Sequence, residues 1–215
     1  MPRIMARPVS RLSLGVLASG RGSNFEALQN EIENDSLPAV IRVVISDRDK
    51  ASVLEKARSR GIPTYYINPS QFDSRHLYEQ RLVRICEEHG VELVVLAGYM
   101  RILGETFIKS FPWRIINIHP ALLPSFPGLN AHRQALEYGV RFSGCTVHFV
   151  DLGVDTGPII LQQVVPVLPE DDEDSLSQRI LREEHRLLPQ AVKLIAEGRL
   201  EADGRRINIL PEGVV

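Results

Sequence analysis

Cysteine is nearly absent from this chain: Cys86 and Cys145 are the only two in 215 residues. They lie far apart and lack metal-type spacing, which excludes a disulfide framework and a zinc knuckle and fits a reducing cytoplasm. An excess of charge of one sign is missing too. The 25 Lys and Arg against 27 Asp and Glu leave a net charge of −2, so no global field exists for gripping nucleic acid or an anionic membrane. No stretch approaches the ~18 apolar residues of a membrane span, and the basic start MPRIMARPVSR has no apolar run of a secretion signal behind it. Repeats, low-complexity segments and a linker between two cores are also lacking. What is present is an apolar content of 44%, enough for a substantial buried core. The reading is one compact domain over residues 11–215, cytoplasmic, preceded by an N-terminal extension at residues 1–10 expected to be flexible, with small molecules as partners.

Short β-branched runs alternate with helical patterns through the first half, the pattern of parallel βαβ units with helices on both faces of the sheet. Strands are expected at 12–18, 39–45, 64–67, 93–97 and 114–119, and helices at 24–34, 51–60, from Asp73 to about Gly90, and at 105–111. Ser23 and Glu26 are spaced as a capping box for the first helix, Asp73 is placed to cap the third, and Leu77, Leu82, Ile85 and Cys86 make its buried stripe. After Pro120 the chain is loop-rich to Asn130, then helical at 131–138. Strands at 145–150 and 159–165 flank an Asp- and Gly-rich turn, an antiparallel portion toward the C-terminus. Ser175 with Gln178 reads as a capping box for a long last helix that reaches about Gly198 and bends near Pro189.

Three segments carry candidate chemistry. Ser19 to Asn24 joins the first strand to the first helix, where glycines allow a tight turn and helix N–H groups attract a phosphate. It departs from the dinucleotide fingerprint because Phe25 replaces the third glycine, and it has no nucleoside-triphosphate Lys, so a single phosphate monoester fits better. The alternative is a turn that needs glycine only for its geometry. Asn117 and His119 are two apart on a strand and share a side, where an amide and an imidazole can polarise a carbonyl and move a proton. Alternatively, His119 is an ordinary hydrogen-bonded histidine. Asp151 to Pro158 lacks the spacing of an EF-hand. Its Asp155 is a candidate charge partner that would raise the His119 pKa, the alternative being an Asp-Gly turn. His148, in a strand between Val147 and Phe149, reads as core packing or a satisfied hydrogen bond, and Cys145 as a buried thiol.

Together, GSN at 22–24, FDSR at 72–75, LAGYMRIL at 96–103, NIHPALLPSFPG at 117–128, HFVDLGVDTGPII at 148–160 and EEH at 183–185 resemble the phosphoribosylglycinamide formyltransferases, one of the folate-dependent formyltransferase families. The likeness covers nearly the whole chain after about Arg11. It implies a single-domain, Rossmann-like α/β formyltransferase fold with a mostly parallel twisted sheet. It also implies transfer of a formyl group from the co-substrate 10-formyltetrahydrofolate to the amine of glycinamide ribonucleotide, in purine biosynthesis, with no metal required. By the same resemblance the catalytic residues are Asn117, His119 and Asp155. Gly22, Ser23 and Asn24 with Leu181, Arg182, Glu183 and Glu184 address the nucleotide. Arg75, Met100, Arg101, Ile102 and Leu103, with Asn117, Asp151, Leu152, Gly153, Val154 and Asp155, form the folate side. The N-terminal half is thus the nucleotide-phosphate half, and the C-terminal half serves folate binding and catalysis. Tyr99 stands where Phe is commoner, and Thr156 stands where Gly or Ala is usual, a change that would narrow the folate pocket.

In the expected chemistry, Asn117 and a protonated His119 stabilise a tetrahedral species, and Asp155 keeps the imidazole charged. Methionyl-tRNA formyltransferase would need an RNA-binding extension and a basic surface, and formyltetrahydrofolate deformylase an N-terminal regulatory domain. A non-catalytic nucleotide-binding module would leave the trio unexplained. The expected assembly is a monomer or homodimer, without nucleic acid or membrane partners.

Overall fold

The structure, a computed structural model, describes residues 11–213, so the expected extension at residues 1–10 lies outside the described residues. Contacts divide the chain into two compact units, one ending at Ile116 and the other beginning at Asn117.

In the first unit, β1 (Leu12–Leu17), β2 (Ala39–Ser46), β3 (Thr64–Tyr66) and β4 (Leu93–Leu96) alternate with α1 (Ser23–Glu33), α2 (Ser52–Arg58) and α3 (Arg75–Glu88). The short α4 (Glu105–Ser110) follows. β1 pairs in parallel with both β2 and β4, and β2 with β3. All of LSLGVL in β1 and LVVL in β4 is buried, as expected of inner parallel strands covered on both faces. Phe25, Leu28 and Ile32 form the buried side of α1, their helical spacing placing them on one stripe.

The second unit holds α5 (Ala131–Tyr138), β6 (Phe142–Phe149), β7 (Ile159–Pro166), α6 (Glu173–Ala196) and a hairpin of β8 (Leu200–Asp203) and β9 (Arg206–Ile209). β5 (Ile115–His119) runs across the division. β6 and β7 are antiparallel, with Thr146 opposite Gln162. Seven strands follow the sheet order β3-β2-β1-β4-β5-β6-β7, and β8-β9 is a separate two-stranded sheet. The mostly parallel α/β fold with an antiparallel C-terminal portion is therefore as expected.

Several local expectations need correction. Gly22, at φ 76, is the N-cap of α1, and no side chain caps that helix; Ser23 is already its first residue, so the Ser23–Glu26 capping box does not form. Ser74, not Asp73, caps α3 by accepting from the Leu77 N–H at 3.2 Å. Leu77 itself is 44% exposed. The buried face of α3 instead includes Tyr78 and Glu79 beside Leu82, Ile85 and Cys86, because Glu79 has backbone partners that an apolar periodicity does not register. At α6 the capping box is Asp172 with Ser175. Asp172 accepts from the Ser175 N–H at 2.8 Å while Ser175 Oγ accepts from the Asp172 N–H at 3.1 Å. The helix continues through Pro189 to Ala196. The β8-β9 hairpin was not anticipated, although Asp203-Gly204 is a hairpin signal.

Candidate active site

β5 reads IINIH, and its carboxyl end presents Asn117 and His119 two residues apart, so both converge on one group. That group is Asp155. Its Oδ2 lies 3.3 Å from His119 Nδ1 and accepts the Gly128 N–H at 2.8 Å. Its Oδ1 accepts from Asn117 Nδ2 at 3.3 Å. The other ring nitrogen of His119, Nε2, is 2.8 Å from the Phe126 carbonyl. The imidazole thus stands between two acceptors, and only its doubly protonated form satisfies both.

His148 of β6 joins the group; it is buried and hydrogen-bonded, as its place between Val147 and Phe149 suggested, but its partnership with Asn117 was not foreseen. The His148 Nδ1 lies 2.8 Å from the Phe149 carbonyl, which can only accept, so that nitrogen carries a proton, while Nε2 lies 3.1 Å from Asn117 Nδ2 and 3.6 Å from Asp155 Oδ1. The Asp155 carboxylate, which can only accept, turns the Asn117 amide nitrogen toward itself and His148. The signal available in the sequence was a histidine in a strand of buried residues, which needs a partner; the partner's identity is a tertiary fact.

The loop after β5 is held in an unusual backbone state. Phe126 and Asn130 in this loop have φ of 56 and 58, and Asp155 in the β6–β7 loop has φ of 54, a region that costs non-glycine residues ~1–3 kcal/mol each. Side chains from regular elements hold it there. Thr146 Oγ1 donates to the Ala121 carbonyl at 2.7 Å and accepts from the Leu123 N–H at 3.1 Å. Gln162 donates to the Leu123 carbonyl at 2.9 Å, and Gln134 of α5 donates to the Pro127 and Leu129 carbonyls. The Phe126 carbonyl and Gly128 N–H are therefore preset toward His119 and Asp155.

Electrostatics correct one expectation. Burial is the largest influence on His119 and holds its pKa below the ordinary value, outweighing the Asp155 charge and the Phe126 carbonyl that pull it up. The imidazole was expected to be raised and charged; desolvation of a side chain that is only 5% exposed reverses the sign. For Asp155, burial works toward a higher pKa, but His148, the Gly128 N–H and His119 outweigh it and keep the carboxyl below the ordinary range. Burial, with Glu184 and Glu183 nearby, pushes the Cys145 thiol up to about 12, so it is not a thiolate.

The remaining candidates fall within their own units. In the first, Gly22 opens α1, and a Cβ there would sit 2.7 Å from Val53. Arg75 is bound to its surroundings: Nε donates to Glu79 at 2.8 Å and Nη2 to the Ile102 carbonyl at 2.6 Å. The buried Glu79 also accepts from the N–H groups of Gly104 and Phe107, capping α4 from another helix. Met100 and Ile102 are exposed, whereas Leu103 is buried. Tyr99 is buried, with its hydroxyl bonded to that of Tyr78. In the second unit, Leu152 and Val154 are exposed, and Asp151 Oδ1 accepts from the Gly153 N–H and from Thr156 Oγ1 at 2.6 Å. The Thr156 hydroxyl is thus turned onto its own loop. Leu181 to Glu184 lie on α6, with Arg182 exposed and Glu184 buried. Among the described residues, no group of three or more His, Cys, Asp or Glu is arranged to hold a metal ion, and no helix is long and apolar enough to cross a membrane.

A buried imidazole with an ionised carboxylate and an oriented amide, at the end of an inner strand of a mostly parallel sheet, is equipped for proton transfer at a carbonyl. The comparisons with known proteins agree: residues 13–192 match the formyl transferase family model, and the chain belongs to that family. Within it, the likeness is to the phosphoribosylglycinamide formyltransferases. The chain is 40% identical over 209 residues to that protein of Escherichia coli, covering 94% of this chain and 98% of the relative. The crystal structure of glycinamide ribonucleotide transformylase 1 from Symbiobacterium toebii superposes with a TM-score of 0.92 at 50% identity, covering 94% of this chain and 95% of that one. The trifunctional purine biosynthetic protein adenosine-3 of Drosophila pseudoobscura pseudoobscura is 46% identical over 200 residues, which are 92% of this chain but 14% of that much longer relative.

Proposed function

We propose that this chain transfers the formyl group of 10-formyltetrahydrofolate to the amine of glycinamide ribonucleotide, giving formylglycinamide ribonucleotide and tetrahydrofolate. The observation that carries this reading is the buried His119, held between the Asp155 carboxylate and the Phe126 carbonyl with Asn117 oriented beside it.

In the proposed reaction the amine nitrogen attacks the formyl carbon and negative charge develops on the formyl oxygen. The 3.3 Å bond from Asn117 to Asp155 is the longer of the amide's two. The developing oxyanion takes over that N–H, while His148 keeps the amide nitrogen pointing at the site. A donor of this kind is worth ~2.7–4 kcal/mol in the transition state. His119, whose pKa burial holds below the ordinary value, takes up the proton that the amine must lose, and the imidazolium so formed is the state that satisfies both the Asp155 carboxylate and the Phe126 carbonyl. The proton passes to the folate nitrogen as the bond from carbon to that nitrogen breaks, so the imidazole returns to its starting state. Cys145 offers no thiolate, which favours direct transfer over an acyl-enzyme.

In the same reading, Gly22, Ser23 and Asn24 at the start of α1 hold the nucleotide phosphate, with Leu181, Arg182, Glu183 and Glu184 contributing to that substrate. Arg75, the 100–103 segment and the 151–155 loop serve the folate. Arg75 acts largely by holding the 102–104 backbone. Incubation with 10-formyltetrahydrofolate, with and without glycinamide ribonucleotide, tests the assignment. Turnover that requires the nucleotide supports it, and release of formate without the nucleotide contradicts it in favour of a hydrolase.

A further inference from the structure

Three parallel strands, β2, β1 and β4, end side by side, and the residues just past them are tied together by a group that the proposed chemistry does not use. Ser19 N–H donates to the Gly98 carbonyl at 3.0 Å. Ser19 Oγ donates to Asp47 Oδ1 at 2.6 Å and accepts the Met100 N–H at 2.9 Å. The Asp47 side chain is 6% exposed, and its second oxygen lies 3.9 Å from Arg101 Nη1. Arg101 in turn sits over the Tyr78 ring, 5.9 Å from its centroid. An ionised carboxylate can only accept, so Asp47 fixes the direction of the Ser19 hydroxyl proton and turns an oxygen lone pair toward Met100.

Ser19 is three residues before Gly22, and Met100 and Arg101 begin the segment read as the folate loop. The Gly20 carbonyl accepts from the Val53 N–H at 3.2 Å, and Gly22 rests against the Val53 side chain, so displacement of the 19–22 turn is resisted on that side too. The two loops therefore share one nearly buried fastening, Asp47–Ser19–Met100, with Arg101 as its charge partner.

We propose that Asp47 and Ser19 are positioning residues that couple the two substrates. A ligand that orders the 22–24 loop also orders the 100–103 segment, so the second ligand binds with less ordering to do, and each raises the affinity for the other. This rests on the reading of those loops as nucleotide and folate sites. Coupling of this type is reciprocal and is generally about 5-fold or more in affinity.

The test is calorimetric titration of glycinamide ribonucleotide into the enzyme, alone and with saturating tetrahydrofolate, a pair that cannot react. The wild-type chain should bind the nucleotide about 5-fold or more tightly in the presence of the folate. In Asp47→Ala and Ser19→Ala, checked by thermal unfolding for an intact fold, that ratio should fall to about one while each ligand still binds alone. Asp47→Asn, which keeps an acceptor for Ser19 but loses the Arg101 pairing, should lie between. A merely structural role would weaken both affinities and leave the ratio unchanged, which would overturn the proposal, as would a wild-type ratio of one. Failure of the folded wild type to bind either ligand would overturn the functional reading and the coupling with it.

Discussion

Replacing Asp155 by Asn removes one charge while keeping shape and an acceptor for the Gly128 N–H. At the observed 3.3 Å from His119 Nδ1, two unit charges in an effective permittivity of about 20 interact by ~5 kcal/mol, a ceiling for what the carboxylate gives to the imidazolium formed during transfer. The amide retains a dipole, so about half that value, ~2.5 kcal/mol, is a reasonable loss, which corresponds to a fall in kcat on the order of 10². KM for either substrate should move much less. The pH profile carries the diagnostic sign. Burial already holds His119 below its ordinary value, and the carboxylate is the main influence pulling it back up; without it the imidazole pKa drops further. Activity that requires the neutral base is lost as pH falls through that pKa, so the acidic limb of kcat should move to lower pH in the variant. Steady-state kinetics across pH, with the His119 resonance followed by NMR and folding checked by thermal unfolding, would measure this. A folded variant with wild-type turnover and an unmoved titration would show that the Asp155 charge does not support the His119 cation.

The double variant Ser23→Ala with Asn24→Ala should raise KM for glycinamide ribonucleotide with little change in folate affinity, because a phosphate-binding loop acts remotely from the transferred group; loss of folate affinity instead would reverse the assignment of the two ends. Gly22→Ala forces a left-handed backbone on a residue with a Cβ and drives that atom to 2.7 Å from Val53. It should cost about 2 kcal/mol or more and lower Tm by roughly 4–8 °C in a thermal scan. Asp172→Ala removes the Ser175 capping box and should cost ~1 kcal/mol in denaturant unfolding without changing turnover.

Strand positions were legible in the sequence because LVVL is apolar throughout and LSLGVL is interrupted only by Ser13 and Gly15, as suits strands buried on both faces. The trio of Asn117, His119 and Asp155 was legible in part from the two-residue spacing and in part from a family pattern; the structure brings the three within hydrogen-bonding or ion-pair distance. Caps were misplaced by one to three residues, at Ser23, Asp73 and Ser175, because neighbouring Ser, Asp and Gly residues compete for each helix start and local geometry decides between them. Leu77 and Glu79 were exchanged in the buried face of α3 because a carboxylate that caps another helix looks like a solvent residue in one dimension. The sign of the His119 shift was missed for a related reason. A neighbouring charge can be guessed from a motif, but desolvation depends on what packs around the ring. His148 illustrates the same limit, since its bond to Asn117 joins residues 31 apart.

Isotopic labelling distinguishes direct formyl transfer, from the folate to the nucleotide amine, from a route through free formate. The enzyme would be given 10-formyltetrahydrofolate carrying 13C in the formyl group, glycinamide ribonucleotide and an excess of unlabelled formate, and the products followed by 13C NMR. The label should move into formylglycinamide ribonucleotide without dilution, and no labelled formate should accumulate. Labelled formate in solution, or unlabelled formyl groups in the product, would contradict direct transfer.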